Sequence, residues 1–203
     1  VTHSLVRDIR LAAGKVLALI TLDTGRDPTR PNTLGPATLL ELGETLDALA
    51  ARAASGEIQA VGITGKQYIL AAGADLSDIS RVPSKEVARL VAQRGHQVFG
   101  KLSTLGVPSF TFVNGLALGG GLGVALNAGY RTVDASAAAI ALPEVFLGLI
   151  PGWGGAYLLP NLIGIENALE VIVSNPLKQN RMLKPEQAFG CGIVDAIFPA
   201  SNY

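Results

Sequence analysis

The sequence predicts an α/β protein with a single domain, and two observations indicate it. Short apolar runs rich in β-branched residues alternate along the chain with amphipathic segments of helical period. Hydrophobic residues make up 49% of the 203 residues and charged residues only 16%. That composition is typical of a chain with a sizeable core and argues against a disordered one.

The first half of the chain is predicted to run strand, helix, strand, helix. VLALITL at residues 16–22 and IQAVGIT at residues 58–64 are short, apolar and partly β-branched, as buried strands are. Pro36 opens the helix between them. Its apolar side is expected to consist of Leu39, Leu40, Leu42, Leu46 and Leu49. After a loop, GKQYILAAGADL, a second helix is expected from about residue 84 to residue 102.

The second half is predicted to alternate in the same way. Strands are expected at residues 109–113, 130–133, 138–142 and 193–198. Helices are expected at residues 158–162 and 167–173 and in KPEQAFGCG. The strand at 109–113 runs directly into the glycine-rich segment NGLALGGGLGVALNAG, and residues 143–155 are predicted to form a loop.

The composition excludes several classes of function. The 16 basic side chains balance the 16 acidic ones, so binding to nucleic acid driven by overall charge is not expected. Cys191 is the only cysteine and His3 and His96 are the only histidines, so neither a disulfide nor a metal site is expected. No apolar run reaches the roughly 18 residues of a membrane span, and no signal peptide is recognisable. We therefore expect a cytoplasmic protein.

A glycine triplet, residues 119–121, lies between a predicted strand and an apolar helix. Consecutive glycines let a ligand approach the backbone, and free N–H groups at a helix start attract an anion. The segment lacks the G-x-G-x-x-G/A pattern of dinucleotide-binding folds, because Val124 and Leu126 occupy the last position in the two registers. Tight packing of the helix on the strand is the alternative explanation.

Two other segments also allow a functional and a structural interpretation. The small residues of AAGAD, 71–75, either expose backbone N–H groups to a ligand or form an ordinary turn. Glu144 follows a strand and Pro143 among apolar neighbours. Burial there would raise its pKa and suit it to acid–base chemistry, whereas a helix cap or a pair with arginine is the alternative.

Taken in order, these segments resemble the crotonase superfamily of enoyl-CoA hydratases and isomerases. The matching stretches are AAGADL at 71–76, NGLALGGGLGVAL at 114–126, LPEVFLGLIPGWGG at 142–155 and GCGIVDAIF at 190–198. The resemblance covers about residues 16–198. The third stretch is most similar to the hydratase portion of bacterial multifunctional fatty-acid oxidation proteins.

The resemblance implies a crotonase-like spiral of ββα turns, an acyl-CoA or enoyl-CoA thioester as substrate, and a homo-oligomer, either a trimer or a hexamer. No cofactor is implied, since coenzyme A is part of the substrate. The backbone N–H groups of Ala74 and Gly120 would stabilise the thioester enolate, and Glu144 would exchange the α-proton. The implied substrate-binding residues are Ala72, Asp75, Leu76, Gly119, Gly121, Pro143, Gly152 and Trp153.

The sequence departs from the family pattern in two respects. Family hydratases hold water between two glutamates, but the first of these positions is Gly123 here, and Gly129 replaces a common aspartate. Relatives continue past the last strand with helices that this sequence is expected to lack. We therefore expect residues 1–203 to form a single crotonase-like domain that is either a fragment or the N-terminal part of a longer chain.

Three functions are compatible with these residues. The first is an enoyl-CoA hydratase of fatty-acid β-oxidation that adds water syn to a trans-2-enoyl-CoA, impaired by the missing acid. The second is a Δ3,Δ2-enoyl-CoA isomerase, which needs only the one glutamate. The third is an acyl-CoA-binding subunit without activity. The sequence favours the hydratase.

Overall fold

Nine strands form two sheets in the computed structural model, which describes residues 1–26, 29–75 and 83–200. The strands are β1 (His3–Arg10), β2 (Val16–Asp23), β3 (Ala60–Gly65), β4 (Tyr68–Ala71), β5 (Ser109–Val113), β6 (Gly115–Leu118), β7 (Tyr130–Asp134), β8 (Ile140–Ala141) and β9 (Ala196–Phe198). The larger sheet has six strands in the order β1-β2-β3-β5-β7-β9, and the smaller has three in the order β4-β6-β8.

The α-helices of the described residues are α1 (Pro36–Ala54), α2 (Lys85–Gly100), α3 (Gly120–Asn127), α4 (Gly155–Ile163), α5 (Ile165–Leu169), α6 (Asn175–Leu177) and α7 (Pro185–Gly190). A π-helical turn, Glu170–Ser174, joins α5 to α6. Short 3-10 turns lie at Ala12–Gly14, Lys101–Ser103 and Pro143–Leu147. Within the described part of the chain, no helix combines the length and apolar character needed to cross a membrane.

Three successive ββα turns build a spiral. In each turn a strand of the larger sheet is followed by a strand of the smaller sheet and then by a helix, as in β3–β4–α2, β5–β6–α3 and β7–β8–α4. Only β1 runs antiparallel to its neighbour, and the other paired strands are parallel. Parallel strands need long crossovers, which the helices supply. The predicted α/β class and the ββα spiral are confirmed.

The core lies where one face of the larger sheet packs against α1 and α2. Alternate residues of β2 enter it, and the intervening ones face the other side of the sheet, as the period of a strand requires. The apolar side of α1 is confirmed for Leu39, Leu42, Leu46 and Leu49, which are buried. The prediction was wrong for Leu40, which is exposed because it lies one residue out of the helical period that buries Leu39.

The sequence did not predict β1, β4 or β6. β4 and β6 contain four residues each, too few for a period to be recognised, and the assignment of 65–76 wholly to a loop was therefore wrong. β1 pairs only with β2, at the sheet edge. Its charged residues interrupt the alternation of apolar and polar residues that would indicate a strand. The predicted strands at 138–142 and 193–198 are shorter in the structure, as β8 and β9.

Gly121 of α3 lies so close to β4 that a Cβ there would overlap the carbonyl oxygen of Ala71. We expect Gly121→Ala to lower the free energy of unfolding by about 1–3 kcal/mol, the usual cost of overpacking, measured by urea denaturation. Gly100→Ala is the matched control, since a Cβ at the end of α2 would meet nothing within 4 Å. If both variants unfold at the same urea concentration, α3 and β4 are not in this contact.

Candidate active site

A cavity of about 450 Å³ lies between the end of β6, α2 and the chain that follows β8. Its wall contains most of the residues singled out in the sequence: Ala72, Ala74, Gly119, Gly120, Pro143, Glu144, Gly152 and Trp153. A larger groove of about 870 Å³ covers the other face of the six-stranded sheet, and none of those residues lines it. The spiral therefore brings together segments that are up to about eighty residues apart in sequence.

The backbone N–H groups of Ala74 and Gly120 belong to two segments in direct contact. A Cβ placed on Gly73 would lie 3.0 Å from the carbonyl oxygen of Leu118 and 3.3 Å from the nitrogen of Gly120. Gly120 is the first residue of α3, so its N–H has no partner within the helix. Among the described residues, none accepts a hydrogen bond from either N–H. Two free donors beside a helix start are suited to stabilising an oxyanion.

Glu144 occupies the 3-10 turn that follows β8 and reaches back to the start of α3. Gly119 has a φ of 53°, and a Cβ there would lie 3.0 Å from Glu144 Oε1. The second oxygen, Oε2, is buried and accepts no hydrogen bond from a described residue. Burial raises the pKa of the Glu144 carboxyl to about 6. A carboxyl that titrates near neutral pH can both take and return a proton.

The indole of Trp153 fills a slot left open by glycines. Two of its ring carbons would lie 2.6 and 2.7 Å from a Cβ on Gly120, and a Cβ on Gly95 of α2 would overlap the ring. The indole also meets the ring of Phe99 edge-on, with 5.5 Å between the ring centroids. Gly95 and Gly120 must therefore lack side chains for Trp153 to form this part of the cavity wall.

Gly123 also lines the cavity, one helical turn after Gly120. A Cβ there would lie 3.2 Å from the carbonyl oxygen of Trp153. In the part of the wall that the structure describes, Glu144 is therefore the only acidic residue. No group of three or more His, Cys, Asp or Glu among the described residues could hold a metal ion.

Other residues singled out in the sequence lie elsewhere. Gly121 faces β4, and Asp75 accepts a hydrogen bond of 3.3 Å from the hydroxyl of Thr33. Neither lines the cavity, so the structure gives their predicted binding role no support. Leu76 lies outside the described residues. Gly129 donates its N–H to Ser109 Oγ at 2.9 Å, away from Glu144.

Sequence reasoning missed several residues of the wall. Ala88, Val91 and Ala92 give the apolar face of α2, and Asn180 and Met182 come from the segment after α6. The period of α2 could have indicated its apolar face. Asn180 has a φ of 53°, and asparagine is one of the few residues other than glycine that adopt such a conformation readily. That preference alone does not place the residue at this cavity.

A protein-family model described as enoyl-CoA hydratase/isomerase matches residues 13–203 of the chain. Among curated proteins, the chain is 36% identical over 186 residues to fatty acid oxidation complex subunit alpha of Shewanella amazonensis, covering 91% of this chain and 25% of the relative. It is 39% identical over 168 residues to the protein of the same name from Pseudomonas syringae, covering 82% of this chain and 22% of that one. The chain thus spans about a quarter of these relatives.

Solved structures with the same fold include Pseudomonas aeruginosa DspI, with a TM-score of 0.81, 29% identity and coverage of 97% of this chain and 74% of that one. Another is an enoyl-CoA hydratase from Bacillus anthracis, with a TM-score of 0.81 and 28% identity. The match there covers 97% of this chain and 70% of the other.

Proposed function

The chain belongs to the enoyl-CoA hydratase/isomerase family, and from that membership we propose that it hydrates trans-2-enoyl-CoA thioesters in fatty-acid β-oxidation. The observation that carries this proposal is a buried carboxyl, Glu144, that lies against the glycine start of α3. The free N–H groups of Ala74 and Gly120 line the same cavity. The name of the curated relatives, fatty acid oxidation complex subunit alpha, supports the metabolic role.

The reaction uses Glu144 twice, first as the base and then as the acid, and uses the two N–H groups throughout. The thioester oxygen accepts hydrogen bonds from Ala74 and Gly120, and the enoyl group lies beside Glu144. The Glu144 carboxylate takes a proton from water as the water oxygen bonds to the β-carbon. The electrons of the double bond move to the thioester oxygen, where the two N–H groups stabilise the negative charge. Glu144 then returns the proton to the α-carbon on the same face, which makes the addition syn.

The remaining parts of the proposal concern partners and location. We take the acyl-CoA thioester as the only substrate besides water, with no separate cofactor. A homo-oligomer and a cytoplasmic location belong to the same proposal. The word complex in the name of the bacterial relatives supports an assembly.

The proposal is tested by following the loss of the conjugated enoyl thioester absorbance with crotonyl-CoA. Loss of absorbance together with formation of the 3-hydroxyacyl product supports hydration. A protein that binds the saturated analogue butyryl-CoA but converts neither 2-enoyl nor 3-enoyl thioesters would instead be a binding subunit, and the enzymatic proposal would fail.

Isomerisation is the second candidate, because Glu144 is the only acid in the described cavity wall. Glu144 would remove the α-proton of a 3-enoyl thioester and return it at the γ-carbon, with the same two N–H groups holding the enolate. An isomerase would convert the 3-enoyl substrate much faster than it hydrates crotonyl-CoA. The ratio of the two kcat/KM values distinguishes the two reactions.

The pH dependence of kcat/KM should follow the ionisation of the Glu144 carboxyl. Its pKa is raised to about 6 by burial, and the reaction starts from the carboxylate. Activity should therefore be constant above the pKa and fall about tenfold per pH unit below it. A rate profile between about pH 4.5 and 8 measures this. A profile that stays flat down to the ordinary pKa of a glutamate would show that Glu144 is not the base.

A further inference from the structure

Two buried oxygen atoms in the cavity wall accept no hydrogen bond from any residue that the structure describes. Among the described residues, the buried polar side-chain atoms without a partner include Glu144 Oε2 and Asn180 Oδ1, and both residues line the cavity. The other such atoms belong to residues outside that wall. A buried acceptor without a donor costs free energy and needs an explanation at each site.

Asn180, which lines the same cavity as Glu144, has a left-handed backbone conformation. Gln179 and Asn180 have φ values of 57° and 53°. The N–H of Asn180 donates to the Pro176 carbonyl at 3.0 Å, and that of Arg181 donates to the Asn175 carbonyl at 2.9 Å. The helical turn that supplies these carbonyls, α6, packs against the turn that carries Glu144. Among residues other than glycine this conformation is uncommon, and such residues are often found at functional sites.

We propose that Asn180 positions the attacking water, its Oδ1 accepting one hydrogen of the water while Glu144 Oε2 accepts the other. This inference rests on the proposed hydratase function. A water molecule has two hydrogens to donate, and two unpaired acceptors satisfy both. One lone pair of the water then remains for the β-carbon of the enoyl thioester.

The different roles of Asn180 and Glu144 follow from the chemistry of a carboxamide and a carboxylate. A carboxamide does not take up a proton near neutral pH, so the proton that leaves the water goes to Glu144, which later delivers it to the α-carbon. The hydrogen that faces Asn180 stays on the oxygen and becomes the hydroxyl hydrogen of the product. Asn180 therefore orients the water without changing its own protonation, in a wall that has glycine at position 123.

Asn180→Gly is the informative variant, because glycine accepts a positive φ without strain. We expect kcat for crotonyl-CoA hydration to fall about 10- to 100-fold, as misplacement of a reactant does, with KM nearly unchanged. Exchange of the α-proton of butyryl-CoA in D2O, followed by NMR, requires only Glu144 and the two N–H donors. It should continue at the unaltered rate.

Two controls accompany this variant. Gln179→Gly removes a neighbouring exposed side chain with the same backbone conformation, outside the cavity, and should hydrate like the unaltered protein. Asn180→Asp keeps an acceptor oxygen and should restore hydration relative to Asn180→Gly on the plateau of its pH profile. A like charge nearby raises the pKa of Glu144, so that plateau should begin at higher pH.

Each other outcome has a distinct meaning. Equal hydration by Asn180→Gly and Gln179→Gly overturns the role of Asn180 and leaves the hydratase proposal intact. Parallel loss of hydration and α-proton exchange also overturns it, because the residue would then only maintain the fold. An unaltered protein that exchanges the α-proton but hydrates nothing overturns both proposals.

Discussion

Glu144→Gln is expected to lower kcat for hydration by about 10²–10⁴-fold, the usual contribution of a general acid–base group. The amide has nearly the shape of the carboxyl but neither takes the proton of the water nor returns it to the α-carbon. Exchange of the α-proton of butyryl-CoA should be lost to a similar extent. Both rates are measured on the same preparation, by absorbance and by NMR.

Binding and folding should survive this substitution. In the proposed reaction the thioester oxygen is held by the N–H groups of Ala74 and Gly120, so butyryl-CoA should bind the variant with similar affinity. Burial disfavours the charged form of Glu144, so a neutral side chain there should not lower the melting temperature. Glu186→Gln, at an exposed position of α7 outside the cavity, is the matched control. A Glu144→Gln variant with unchanged kcat would exclude Glu144 from the chemistry.

The glycine triplet shows how far sequence alone could lead. Ligand approach and tight packing were alternative explanations of residues 119–121, and the structure assigns them to different members. Gly121 packs against β4, while Gly119 and Gly120 line the cavity. A sequence pattern indicates that side chains must be absent, but only the fold shows which neighbour occupies each space.

The helices and strands also differ in how far the sequence alone could predict them. β2 was predictable as a short apolar run, partly β-branched, and α1 because it is long enough for its helical period to be visible. Ser84 caps the start of α2 by accepting a hydrogen bond from the Val87 N–H. Segments β4 and β6 are strands because they pair with each other in the smaller sheet. Pairing between distant segments leaves no local signature in four residues.

The residues of the cavity wall also divide into those with a local sequence signal and those that only the packing of distant segments brings there. Glu144, Ala74 and Gly120 were found through ordered motifs, each next to its own strand end. Asn180 was not found because it lies in a polar stretch, SNPLKQN, which lies at the cavity where α6 packs on the Pro143–Leu147 turn. Residues that reach a site only through packing have no sequence motif. Buried polar atoms without a hydrogen-bond partner in the structure indicate such residues better.

Gly123→Glu is expected to raise hydration of crotonyl-CoA by about 10²–10⁴-fold, because it adds a second acid–base group to the cavity wall. Gly123 lies inside α3 on the cavity side. Its new Cβ would lie 3.2 Å from the Trp153 carbonyl oxygen, so the chain at Trp153 must shift by a few tenths of an ångström. Gly123→Ala introduces the same Cβ without the carboxylate and should not raise kcat. Equal rates for the two variants would show that an acid at this position does not reach the water.

The gain should also depend on Asn180. If the added carboxylate and Asn180 Oδ1 hold the same water, each makes the other less necessary. Asn180→Gly should then cost less hydration in the Gly123→Glu background than in the unaltered protein, where we expect about a 10- to 100-fold loss. Non-additivity of this kind is the measure of two residues that act on one group. Strictly multiplicative losses would instead place the two residues on different steps or on different parts of the substrate.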